Sequence, residues 1–176
     1  MTLRILLELT SDTHDAIQRH LFPPDSEVEQ AAFGFVERRD SNACVVFRMV
    51  DWLGIPPSGF AIQTGYHIEL TDEIRASTIK RAHDTGTCIV EFHSHTGPWP
   101  ASFSPSDRMG FREFIPHVWW RLKGRPYLAL VATRSGYDGL AWLSDPKVPV
   151  RVSGLRVDAT TLACTGLTPL VDTDDE

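Results

Sequence analysis

Apolar positions along this chain fall into short blocks whose spacing switches between the strand period and the helix period. The block from Leu3 to Leu9 predicts a first strand, and Thr10-Ser11-Asp12 then offers helix caps. From His14 to Phe22, Ile17, Leu21 and Phe22 share one side, which predicts a helix that Pro23-Pro24-Asp25 breaks. Asp25 or Ser26 is expected to cap a second short helical segment carrying Glu29, which passes into a strand over Phe33–Val36. Arg38-Arg39-Asp40-Ser41-Asn42 reads as a turn, and Cys44 to Val50 as a β-branched strand. After the loop at Pro56-Pro57-Ser58-Gly59, residues Tyr66 to Leu70 alternate. Thr71 or Asp72 then caps an amphipathic helix from Glu73 to His83, with Ile74, Ile79 and Ala82 as its apolar positions.

Cys88-Ile89-Val90 starts a buried strand that leads to His93 and His95. A proline-rich loop follows, then a helix from Pro105 to about Lys123 with Met109, Phe111, Phe114, Val118 and Leu122 at mostly helical spacing. Pro116 falls inside it and predicts a kink or break. Tyr127 to Thr133 is a strongly apolar strand that turns through Ser135–Gly139 into Leu140–Leu143 as a hairpin. Val148 to Val157 alternates, as a strand at a sheet edge does. Mixed helices and strands with antiparallel pairings predict an α+β fold or a three-layer α/β arrangement. Residues 1–170 form a single domain in this reading, and the acidic tail 171–176 is expected to be disordered.

Composition narrows the classes. A chain of 176 residues with 42% hydrophobic positions is long enough for a sizeable core. Its net charge of -6 argues against a nucleic-acid backbone as partner. No uninterrupted apolar stretch reaches membrane-spanning length, and the N-terminal apolar block is broken by Glu8, too soon for a signal-peptide core. Cys44, Cys88 and Cys164 are odd in number and scattered, which reads as buried free thiols in a reducing cytoplasm.

The chemistry concentrates between Glu91 and Asp107. His93 and His95 stand two apart, so they project from one face if the strand persists that far. Ser104-Pro105-Ser106-Asp107 is a helix start in its own right, with Ser104 as cap, Pro105 in the first turn and Asp107 facing the dipole. Two imidazoles at a strand end facing a carboxylate at a helix start also make the protein part of a catalytic zinc site, with one position left for water. The two readings of Ser104 are compatible, because a hydroxyl accepts from a backbone N–H while donating elsewhere. His14, His20, His67, His83 and His117 are scattered and read as surface or partly buried residues. Trp119-Trp120 reads as core plus a half-exposed ring. Trp99, in the loop between the ligands, is expected to pack down or to meet a substrate.

His93-Ser94-His95 followed by Ser104 and Asp107 resembles the JAMM/MPN metalloprotease signature, His-x-His, a spacer, then Ser-x-x-Asp. The family spacer is most often seven residues, whereas Thr96 to Phe103 makes eight here, and Thr96 stands where the family usually has proline. An upstream glutamate is the fourth family element, at the end of an early helix. Glu29, directly before Gln30-Ala31-Ala32-Phe33-Gly34-Phe35, resembles it, with Glu27 the nearest competitor. The resemblance implies an MPN fold, a curved mixed sheet flanked by helices and similar to cytidine deaminases. It further implies one Zn2+ held by His93, His95 and Asp107, with Glu29 as general base and acid and Ser104 as oxyanion donor.

Active members of that family cleave isopeptide or peptide bonds after the C-terminal tail of ubiquitin or a ubiquitin-like protein. The run Ser11–Ile17 and Arg19–Pro23 resembles bacterial stand-alone JAB peptidases encoded beside ubiquitin-activating and ubiquitin-conjugating enzyme homologues, in cassettes that include antiphage systems. The expected activity is a cytoplasmic zinc isopeptidase or peptidase acting on such a protein. A small-substrate or sulfur-carrier-processing zinc hydrolase, and a non-catalytic MPN scaffold, are the alternatives.

Overall fold

The structure, a computed structural model, describes residues 2–171; residues 172–176, most of the acidic tail expected to be disordered, lie outside them. The elements run β1 (Arg4–Leu9), α1 (Ser11–Leu21), β2 (Ala31–Ser41), β3 (Cys44–Gly54), β4 (Phe60–Gln63), β5 (Ile68–Leu70), α2 (Asp72–Thr85) and β6 (Cys88–Ser94). They continue with α3 (Pro105–Arg121), β7 (Tyr127–Thr133), β8 (Gly136–Trp142), β9 (Val150–Arg151), β10 (Gly154–Val157) and β11 (Thr160–Ala163). Among the described residues the fold is α+β, a mixed sheet of order β11-β10-β1-β3-β2-β6-β7-β8-β9 with a separate β4-β5 hairpin. The sheet curls: Val152 donates to the Gly139 carbonyl at 3.0 Å and Thr165 to that of Tyr137 at 2.9 Å, linking the β10-β11 end back to β8.

Strand alternation sorts side chains onto two faces. Leu7, Phe47, Val90, Phe92, Leu128 and Leu130 pack with Ile17 and Leu21 of α1. Phe33, Phe35, Ile89, Ala129 and Val131 pack with Ile79 of α2 and with Phe111, Ile115 and Val118 of α3. One helix therefore covers one face, and two helices cover the other. Central strands buried on both faces explain the near-continuous apolar runs of β6 and β7.

Local signals account for the helix starts. The side-chain oxygens of Thr10, Thr71 and Ser104 accept from the N–H groups of Thr13, Ile74 and Asp107. Gly86 ends α2 in the left-handed region at φ 69°, where a Cβ is disfavoured.

Several expectations are corrected. No helix carries Glu29: the chain from Pro23 to Gln30 is irregular, and the backbone N–H groups of Glu29 and Gln30 bond to Thr64 and Ser94 rather than along the segment. Arg38–Ser41 belongs to β2, and the turn narrows to Asn42-Ala43, with Ala43 at φ 58°. Pro116 does not break α3, which runs unbroken to Arg121, and Met109 points out while Ile115 supplies the missing core position. The alternating stretch Val148–Val157 divides into two strands, of which only β9 is at an edge; β11 closes the other edge beyond β10. All three cysteines are free, with Cys88 buried and Cys44 and Cys164 only half-buried. Among the described residues no helix is long and apolar enough to cross a membrane.

Candidate metal centre

Two elements and two loops meet at the end of β6. Ile89, Glu91 and His93 face the α2–α3 side of the sheet, while Cys88, Val90 and Phe92 face α1. His95 lies just past the strand end, yet its N–H continues the β6–β7 ladder by donating to the Ala132 carbonyl at 2.8 Å. The ladder keeps both imidazoles on one side, with ring centroids 4.9 Å apart. Ser94 between them is fully buried, and its hydroxyl accepts the Gln30 N–H at 2.9 Å while its own N–H donates to the Gln30 carbonyl at 3.0 Å. This reciprocal pair fastens the Glu29 segment to the histidine strand.

From the other side the α3 start brings in Asp107. Its N–H donates to Ser104 Oγ at 3.1 Å, and its Oδ2 accepts the Ser104 N–H at 2.8 Å, a reciprocal capping box. The same Oδ2 lies 3.3 Å from His93 Nε2 and 3.1 Å from His95 Nε2, and the two Nε2 atoms are 3.1 Å apart. Four-coordinate zinc with bonds of about 2.0–2.1 Å holds its ligand atoms roughly 3.3–3.4 Å from one another. The triangle of two imidazole nitrogens and one carboxylate oxygen matches that spacing to within a few tenths of an ångström. His93, His95 and Asp107 thus form a group able to hold a metal ion.

Glu29 reaches the same place, 4% exposed, with Oε1 at 4.0 Å from His95 Nε2. Its backbone is fixed by donation from Glu29 N–H to the Thr64 carbonyl at 2.8 Å and by Gln63 Nε2, which donates to the Glu29 carbonyl at 2.9 Å. Gly65 allows this approach, since a Cβ there would meet the Glu27 carbonyl oxygen at 2.6 Å.

Electrostatics follow from the crowding. Burial raises the Glu29 carboxyl above its usual range, partly offset by His93 and His95. Burial disfavours protonated His93, but the Asp107 carboxylate together with Glu91 and Glu29 outweighs it and lifts the imidazole to about 9. Burial pushes Asp107 up as well, yet His93 and the hydrogen bonds from His93, His95 and Ser104 hold it well below the usual carboxylate range. Crowding thus keeps Asp107 ionised beside a readily protonated His93.

The structure gathers Glu29, His93, His95, Ser104 and Asp107. Trp99 does not pack down: the residue is 76% exposed in the loop, beside Gly97. His67, read as an ordinary residue, lines the pocket beside the site, although its Nε2 is 3.1 Å from Glu69 Oε1. Glu91 escaped the sequence reading. It borders a pocket of about 130 Å³ together with Arg75, His93, Asp107 and Phe114, and keeps some contact with solvent through it although one carboxyl oxygen is fully buried. Burial pushes its carboxyl up to about 7 against the pull of His93. The rule that pairs His93 with His95 also pairs Glu91 with His93, so the signal was present. No protein-family model and no curated protein matches the chain.

Proposed function

We propose that this protein is a zinc-dependent isopeptidase or peptidase of the JAMM/MPN type, cleaving after the C-terminal tail of a ubiquitin-like protein. Activating and conjugating enzymes of the same system are its expected functional partners, in the cytoplasm. The observation that carries the reading is the ligand triangle with sides of 3.1, 3.1 and 3.3 Å, with a buried glutamate oxygen 4.0 Å from one corner. A curled mixed sheet with one helix on one face and two on the other supports an MPN-type architecture, similar to cytidine deaminases.

Zinc, when bound by His93, His95 and Asp107, supplies Lewis acidity that polarises a carbonyl and brings a water molecule's pKa near neutrality. Glu29 takes the water proton and returns it to the leaving amine, and its burial suits both roles by moving the carboxyl toward neutral pH. The Ser104 oxygen already accepts the Asp107 N–H, so its hydrogen is left to donate to the carbonyl oxygen as negative charge develops. Trp99 offers an exposed apolar ring to the substrate chain.

The pocket beside the site is small, and this favours a second reading, a hydrolase of small amides or of a sulfur-carrier protein. A non-catalytic scaffold is disfavoured because all three ligands and Glu29 converge.

Purified protein incubated with ubiquitin-like fusions and with small amides, each with and without chelator, separates these readings. Chelator-sensitive cleavage of a fusion but not of small amides is expected. Glu29→Gln should lower the rate by about 10²–10⁴-fold while zinc content is unchanged. Cleavage that survives both chelation and Glu29→Gln would overturn the proposal.

A further inference from the structure

The loop joining the ligands is gripped from outside by the segment after β11. Asp138 in β8 is 1% exposed, and its carboxyl group accepts from the Gly166 N–H at 3.0 Å, the Thr168 N–H at 2.9 Å and the Thr168 hydroxyl at 2.5 Å. A hydroxyl has one hydrogen, so donation to Asp138 leaves Thr168 Oγ1 as an acceptor only. It accepts the N–H of Phe103 at 2.9 Å. A second tie lies two residues away from Phe103: Thr165 Oγ1 donates to the Ala101 carbonyl at 2.6 Å, while Thr165 N–H is held by the Tyr137 carbonyl at 2.9 Å. Ala101 and Phe103 are buried, whereas residues 97–100 of the same loop are exposed.

Phe103 is where this grip reaches the chemistry. Its ring centroid lies 5.6 Å from that of His93 and 4.9 Å from that of Phe111. Its backbone leads directly into Ser104, whose N–H and hydroxyl hold Asp107. Burying a carboxyl group is costly unless its oxygens are paired, and here the pairing runs toward the loop between the ligands.

We propose that Asp138 and Thr168 are positioning residues of the metal centre. Asp138 orients the Thr168 hydroxyl, the hydroxyl pins the Phe103 backbone, and Phe103 sets the His93 ring and the Ser104–Asp107 cap in register. This rests on the reading of His93, His95 and Asp107 as metal ligands. Outer groups that orient ligands typically change metal affinity by about 10–100-fold when removed.

The test is zinc competition against a chromophoric chelator on the full chain, with thermal unfolding of the metal-free protein in parallel. Thr168→Val, which keeps the shape and removes the hydroxyl, should weaken zinc binding by about tenfold. Thr168→Ser should restore wild-type affinity, and Thr165→Val should cause a smaller loss. Leu7→Ala, on the far core, provides a destabilised chain whose affinity stays at the wild-type level. If Thr168→Val does not fold, Asp138→Asn decides, because it keeps the shape of the side chain and disturbs the acceptor that orients the Thr168 hydroxyl. Wild-type affinity in the folded variant, or failure of Thr168→Ser to restore binding, would overturn the positioning role. A wild-type chain that binds no zinc overturns the metal reading beneath it.

Discussion

The two faces of the sheet are built from the same strands and ask different things of them. Along β6 the residues toward α1 are Cys88, Val90 and Phe92, while those toward α2 and α3 are Ile89, Glu91 and His93. The first face is apolar up to Ser94, whose hydroxyl holds Gln30, and contributes burial. The second trades apolar area for ionisable groups near the strand end, where α3 begins and supplies Asp107. The lesson is a division of labour within one strand: odd positions carry the site, and even positions hold the platform that keeps it rigid.

The sharpest way to break this contrast is to remove a ligand. Asp107→Asn should weaken zinc binding by more than the roughly 100-fold ceiling of outer-shell changes, measured by chelator competition, and leave the α1-side core intact. Next, Leu7→Ala on the apolar face should cost about 2–5 kcal/mol in denaturant unfolding with zinc affinity of the folded chain unchanged. A fall in affinity there would show that the faces are not separable. Ser104→Ala should raise the barrier to cleavage by about 3 kcal/mol and lower stability by about 1 kcal/mol, since the residue both donates and caps.

The smallest effect is protonic. His93 is raised from 6.5 to about 9, so in the metal-free protein its protonation contributes stability that is full below the ordinary histidine value and lost as pH rises through about 9. Asp107 is shifted the other way, so its contribution is present above the ordinary aspartate value and lost as pH falls. Ligation needs neutral imidazole, so zinc uptake near pH 8 should release about one proton and tighten as pH rises toward 9. Calorimetry in buffers of different ionisation enthalpy checks this, and a buffer-independent heat would contradict it.

How much of this was legible differs by the range of the interaction. Helix starts at Thr10, Thr71 and Ser104 and the face shared by His93 and His95 depend on residues within four positions, and the chain states them openly. Glu29 stands out in the sequence, but its irregular setting does not, because Thr64, Gln63 and Ser94 hold that segment from more than 30 residues away. Thr168 lies 30 residues from Asp138 and 65 from Phe103, and nothing local marks it. Pro116 shows the opposite limit, since packing of Phe111, Ile115 and Val118 carries α3 through a residue that local preference would use to stop it.

The reciprocal cap between Ser104 and Asp107 has a consequence for the loop before it. Both groups are placed by the first turn of one helix, so they travel as a cassette, indifferent to the length of connector upstream. Between His95 and Ser104 the chain is exposed at residues 97–100, outside the turn that sets either group. A change of length within 97–100 is therefore expected to reshape the exposed rim around Trp99 and to leave the Ser104–Asp107 cap intact.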